Sequence, residues 1–111
     1  MRPAEFLDDY RLTVSTHVDA PRLARVFARG IIDGLDISDD AKTAVVLMVS
    51  DAASDSVRSG HSVTVRGMHA DDGCRLIVEG AELAPPVVAT MPHGLTVAAD
   101  ASVLEIRIGI E

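Results

Sequence analysis

Between Asp39 and Ser59 the apolar residues recur at helical spacing, whereas the apolar stretches from His61 onward alternate residue by residue. That contrast restricts the fold more than any other feature. The helix is apolar on more than one face, with Ala44 to Val49 followed by Ala52, Ala53 and Val57, so it needs packing partners on more than one side. Each alternating segment offers a single apolar face, and such segments bury it by joining into a sheet under a helical layer. Ser38 with Asp39 and Asp40 suits the start of the helix, a hydroxyl cap plus negative charge at the positive end of the dipole. Arg58 suits its other end, and Gly60 closes it with a left-handed residue.

The rest of the chain follows from the same two periods. Tyr10, Leu12, Val14 and Thr16 alternate with Arg11, Thr13, Ser15 and His17, a half-buried strand. Asp19 offers a carboxylate cap, Pro21 fits a first turn, and Leu23, Val26, Phe27 and Ile31 mark an amphipathic helix that Gly34 ends in the left-handed region. Val63, Val65 and Gly67, then Cys74, Leu76 and Val78, form the inner positions of a β-hairpin that turns at Asp71-Asp72-Gly73. From Gly80 to Gly94 the prolines 85, 86 and 92 impose a loop, with one helical turn near Val87 to Thr90. Leu95, Val97 and Ala99 read as a short strand, Asp100 to Ser102 as a turn, and Leu104, Ile106, Ile108 and Ile110 as the last strand. The expected fold is α+β, a two-layer sandwich in which a mixed sheet of about five strands is covered on one face by two helices.

Composition narrows the function. The 111 residues suffice for one domain, residues 1–111. Hydrophobic residues make up 48 % and aromatics only 3 %, so an aliphatic core is expected and a base-stacking platform is not. Seventeen acidic against ten basic residues leave a net charge of −7, which disfavours nucleic acid and acidic membranes and favours a protein partner. Cys74 is the only cysteine, so an intramolecular disulfide is excluded, and the four histidines show no metal-ligand spacing. No apolar run reaches the roughly twenty residues of a membrane span, and the first nine residues lack the apolar stretch of a signal peptide; a cytoplasmic location is expected. Ile77 and Val103 fall on the face turned away from the helices, where a second copy in a homodimer or another partner would cover them.

Asp51 and Asp55 stand one turn apart on the central helix, and two like charges there call for compensation. Arg58, three residues beyond Asp55, supplies it as a salt bridge; a Mg²⁺ ion is the alternative.

The segment Ser50-Asp51-Ala52-Ala53-Ser54-Asp55-Ser56-Val57-Arg58-Ser59-Gly60 resembles the N-box helix of histidine-kinase-like (GHKL, Bergerat-fold) ATPases, in particular the small bacterial anti-sigma-factor serine kinases. Their pattern is Ser-Glu-Leu-Val-Thr-Asn-Ala-Val-Arg-His-Gly. The order strand, helix, helix, hairpin is similar as well, and the likeness covers roughly residues 10 to 79. It implies a truncated Bergerat fold, with Asp51 at the position of the catalytic glutamate and Asp55 at that of the Mg²⁺-binding asparagine. Arg58 belongs to the same nucleotide-binding box, and Glu79 stands in for the aspartate of the adenine-reading Asp-x-Gly-x-Gly motif. Asp51 is one methylene shorter than glutamate, one glycine of the second motif remains, and the Gly-rich lid over the phosphates is missing between Gly80 and Gly94. The resemblance therefore implies an anti-sigma-factor-like regulator that binds a sigma factor or an anti-sigma antagonist, with a degenerate nucleotide site and no cofactor. Two other readings stay open: an active serine/threonine kinase using Mg-ATP, and an unrelated small α+β interaction domain.

Overall fold

The computed structural model describes residues 10–14, 19–70, 73–83 and 91–109. Within them the chain forms β1 (Tyr10–Val14), α1 (Ala20–Ile32), α2 (Asp39–Arg58), β2 (Val63–Ala70), β3 (Gly73–Glu79), β4 (Leu95–Ala99) and β5 (Val103–Gly109). The expectations for the first nine residues, Ser15 to His17, Asp71-Asp72, Pro85-Pro86, the turn at Val87 to Thr90, and Ile110 lie outside the described residues.

The five strands make one sheet in the order β1-β2-β3-β5-β4, and the two helices cover one of its faces, giving a two-layer α+β sandwich. Every neighbouring pair is antiparallel, which corrects the expected mixed sheet. The reason lies in the connection. A single crossover helix returns the chain to the end where the strand began, but two antiparallel helices return it to the opposite end, so β2 must run against β1.

Rows of side chains across the sheet show what the alternation accomplishes. Leu12, Val65, Val78, Leu104 and Ala99 form one row facing the helices; Tyr10, Gly67, Leu76, Ile106 and Val97 form the next. Val65, Leu76, Val78, Leu104 and Ile106 are fully buried, and each such side chain contributes about 1.5–3 kcal/mol through loss of apolar surface to water. Cys74 shares this face and is buried among the same residues. α1 sits over β1 and β2, α2 over β2 and β3. Gly67 permits the first of these contacts: a Cβ there would stand 2.6 Å from Ile31 Cδ1.

The two helices meet through small residues. Ala20, Ala24 and Ala28 on α1 are fully buried at four-residue spacing, and Ala52 and Ala53 are buried on α2, so the backbones approach closely. Arg25 Nη1 donates to the buried Ser50 hydroxyl at 3.3 Å across this seam. α2 begins as expected, with Ser38 Oγ accepting from Ala41 N at 3.1 Å. It ends on Gly60 at φ 85, where Gly60 N donates to Val57 O and His61 N to Ser56 O, both at 2.9 Å, the Schellman arrangement. α1 departs from expectation at both ends. Asp19 forms no capping hydrogen bond through its side chain, which lies instead 3.9 Å from Arg22 Nη2; its helical φ and ψ turn the carboxylate away from the free N–H groups. Gly34 does not adopt positive φ: the helix closes with Asp33 N to Arg29 O, and Gly34 lies inside the turn made by Leu35 N to Ile32 O.

The β4–β5 hairpin is closed by Asp100. Its Oδ1 accepts from Ser102 N at 2.8 Å, Val103 N at 3.0 Å and Ser102 Oγ at 3.0 Å. Donation from Ser102 and Val103 holds the carboxyl below its ordinary value of 3.8. A depressed carboxylate stabilises the fold above its unfolded-state value and loses that contribution as pH falls through the lower folded-state value. Asp100→Ala is therefore expected to lower Tm at neutral pH, with the gap to the wild-type chain narrowing below pH 3.8. Thermal melts of the two chains across an acid series check this.

Candidate functional site

α2 carries the acids that chemistry would need, and helical spacing decides where they point. Positions 45, 49, 52, 53 and 56 are turned inward, which leaves Asp51 exposed and Asp55 on the border of the buried surface. Asp55 Oδ1 accepts from Arg58 Nη1 at 2.9 Å, with the aspartate side chain 27 % and the arginine 74 % exposed. The backbone carbonyl of Asp55 also accepts from the Ser59 N–H and hydroxyl, so the residue is part of the helix terminus. Its charge is compensated within the helix by an i, i+3 pair.

Glu79 lies elsewhere. In β3 the inward residues are Cys74, Leu76 and Val78, and Glu79 belongs to the opposite set with Arg75 and Ile77. It faces away from the helices and accepts from Arg66 Nη1 at 3.0 Å. The sheet thus stands between Glu79 and the α2 pair. Of the four residues singled out from the sequence, Asp55 and Arg58 come together, Asp51 stays on the same helix face, and Glu79 joins none of them.

On the helix-facing side the residue after Val78 in the inward series is Gly80, and its surroundings are tight. A Cβ at Gly80 would meet Ser56 Oγ at 2.6 Å, Ser56 Cβ at 3.2 Å and Leu83 Cδ2 at 3.2 Å. Ser56 is fully buried; its hydroxyl donates to Ser62 O at 3.1 Å and accepts from Ala81 N at 3.3 Å. Leu83 is buried in the main core. The segment is held from both sides. Gly80 N donates to Ser102 O and Leu83 N to Ala101 O on the β4–β5 turn, while Ser59 Oγ donates to Glu82 Oε1 at 2.9 Å from the end of α2. Glu82 sits at φ 55, a left-handed position that glycine fills more readily.

Sequence reasoning did not find Ser56, Gly80 or Leu83. A small residue inside an apolar helix and a glycine after a strand carry no local mark of their meeting; only the packing of α2 on β3 creates it. Gly80 beside an acidic residue was the available signal, read for Glu79 instead.

These residues do not fit a Mg²⁺-bound nucleotide as arranged. The ion needs several oxygens on one side, including the triphosphate's, yet the Asp55 carboxylate is engaged with Arg58 and Glu79 with Arg66 across the sheet. Among the described residues every buried side-chain nitrogen and oxygen has a hydrogen-bond partner, so none waits for a ligand. Among them also, no three His, Cys, Asp or Glu side chains gather as metal ligands, and no helix is long and apolar enough to cross a membrane. Compared with models of known protein families and with curated protein sequences, the chain matches none.

Two expected outcomes test the packing. Gly80→Ala should lower the unfolding free energy by about 1–3 kcal/mol, since an added methyl meets a hydroxyl held by two hydrogen bonds. In the double mutant with Ser56→Ala the loss should fall short of the sum of the single losses by about 0.5 kcal/mol or more, measured by urea unfolding of all four chains. Asp55→Asn should cost less, up to about 1 kcal/mol, as expected for a largely solvated ion pair, and Asp51→Asn should stay within about 0.5 kcal/mol in the same assay.

Proposed function

We propose that this chain is a cytoplasmic protein-binding regulator of the anti-sigma-factor type, with a histidine-kinase-like fold whose nucleotide site has degenerated. Its partner in this reading is a sigma factor or an anti-sigma antagonist. The observation that carries the reading is the packing at Gly80. A carboxylate that reads an adenine under α2 has to project from the helix-facing side of β3, and on that side the position after Val78 is a glycine against Ser56 and Leu83. Glu82, two residues on, holds a left-handed φ of 55 where the Asp-x-Gly-x-Gly motif has a glycine. In this reading Gly80 takes the place of the base-reading acid and Glu82 keeps the left-handed conformation of the glycine that follows it. The engagement of Asp55 by Arg58 supports the same reading, because a helix that spends its acid on its own terminus needs no ion there.

Thermal melting with and without Mg-ATP tests the nucleotide half. A ligand present at a hundred times its Kd stabilises by about 2.7 kcal/mol. In a domain near this size that raises Tm by roughly 10 °C or more, taking about 4–8 °C per kcal/mol. The expected result at millimolar Mg-ATP is no rise; a rise of that order overturns the reading in favour of a working serine/threonine kinase. The partner half is tested by retention of purified sigma factors and antagonists on the immobilised chain. Retention of one supports it. Retention of none, where a working anti-sigma kinase retains its own, overturns it and leaves an unrelated α+β interaction domain.

A further inference from the structure

The face of the sheet opposite the helices has a charge pattern unlike the rest of the chain. Pairing across the strands puts Arg11, Arg66, Ile77, Glu105 and Ala98 in one row, and Met68, Arg75, Arg107 and Thr96 in the next. Among the described residues, four arginines and two glutamates, Glu79 and Glu105, thus share one face of a chain in which acids outnumber bases by seventeen to ten.

Two guanidiniums stand directly opposite one another at Arg11 and Arg66 and again at Arg75 and Arg107, an arrangement that like charges disfavour. At the second pair a single carboxylate is shared. Glu105 Oε2 accepts from Arg75 Nε at 3.0 Å and from Arg107 Nε at 3.2 Å. One negative charge between two positive ones leaves an excess cation. The arginine side chains there are 44 % and 64 % exposed, so their remaining N–H groups face solvent. Ile77, half-buried, lies between Arg66 and Glu105 in its row, and Met68 is buried on this face outside the main core, which gives the patch an apolar floor.

We propose that this face of the sheet, centred on Arg75, Arg107 and Ile77, docks an acidic segment of a protein partner in which carboxylates flank an aliphatic side chain. Arginine pairs with carboxylates bidentately and Ile77 takes the apolar contact, while the acidic remainder of the chain repels anything strongly negative that reaches beyond the patch. That repulsion disfavours a nucleic acid or an anionic bilayer, both of which extend much further. A second copy meeting the first face to face would oppose arginine-rich surfaces and is disfavoured for the same reason. The proposal rests on the sheet's own charges and not on the reading of α2, so it stands or falls separately from the nucleotide and sigma-factor tests.

Fluorescence anisotropy with a short labelled peptide alternating Glu and Val tests it, with the Gln-for-Glu peptide as control. The Glu peptide should bind the full chain, bind more weakly as salt rises, and bind better than the control by at least about tenfold. Arg75→Ser with Arg107→Ser should weaken it by at least about tenfold. Arg75→Lys with Arg107→Lys should lose less, since charge remains. Glu105→Gln, which removes the shared carboxylate, should tighten binding, a gain that misfolding cannot mimic. Equal binding of both peptides, no effect of the serine pair in a chain that still melts cooperatively, or weaker binding by Glu105→Gln overturns the proposal. So does binding confined to single-stranded DNA or phosphatidylserine vesicles, or a dimer in sedimentation that the serine pair abolishes.

Discussion

Helix α2 is buried along two sides at once, against α1 and against the sheet, and the rest of the molecule is arranged around that constraint. A helix in this position has little room for large side chains where it meets neighbours on both flanks, which is why Ala52, Ala53, Ser50 and Ser56 appear at its buried positions. The same constraint extends outward. α1 answers with Ala20, Ala24 and Ala28, β2 answers with Gly67 under Ile31, and the stretch just after β3 answers with Gly80 under Ser56. Close approach through small residues does here what aromatic stacking does in other cores, in a chain that is 3 % aromatic.

Such an interface has consequences for chemistry. Ser56 hydrogen-bonds with Ser62 O and Ala81 N and so ties the end of α2 to the stretches that precede β2 and follow β3. Among the described residues every buried side-chain nitrogen and oxygen has a hydrogen-bond partner. The α2 terminus acts as a joint between these stretches, and there the Asp55 carboxylate pairs with Arg58 while its backbone carbonyl accepts from Ser59.

What could be read from the sequence was what depends on near neighbours. The helix α2 with its Ser38 cap and its Gly60 terminus, the strand alternation and the inward face of Cys74 all rest on periodicity or on bonds spanning a few residues. The pairing of Asp55 with Arg58 does too, as one of two compensations that spacing allowed. The failures have a common cause. Asp19 has the right side chain for a cap, but the helical backbone at that residue turns it away, and backbone angles at a helix entrance are set by how the incoming chain packs. Gly34 can adopt a left-handed conformation and was not required to, because Asp33 and Leu35 had already supplied the closing bonds. The strand directions follow from the two helices between β1 and β2, which the residue pattern did display; what it does not display is which strands become neighbours, and so whether each pair runs antiparallel. Glu79 was read as the stand-in for the motif's aspartate from its place before Gly80; which face it takes was a separate matter, since a strand reverses the facing of its side chains at every residue, and it lies on the face away from α2.

That last reversal links the two faces of the molecule. Had the acid stood one residue later, it would have projected towards α2, into the space that Ser56 and Leu83 now fill. At position 79 it faces outward and neutralises Arg66, as Glu105 does for Arg75 and Arg107. Among the described residues Glu105 is shared between Arg75 and Arg107, so that pair keeps an excess of positive charge. In the proposed docking the outer side of the sheet carries the recognition, through the Arg75 and Arg107 pair that shares one carboxylate. Recognition there is governed by charge and by the short reach of arginine across neighbouring strands, and it requires no movement of the core.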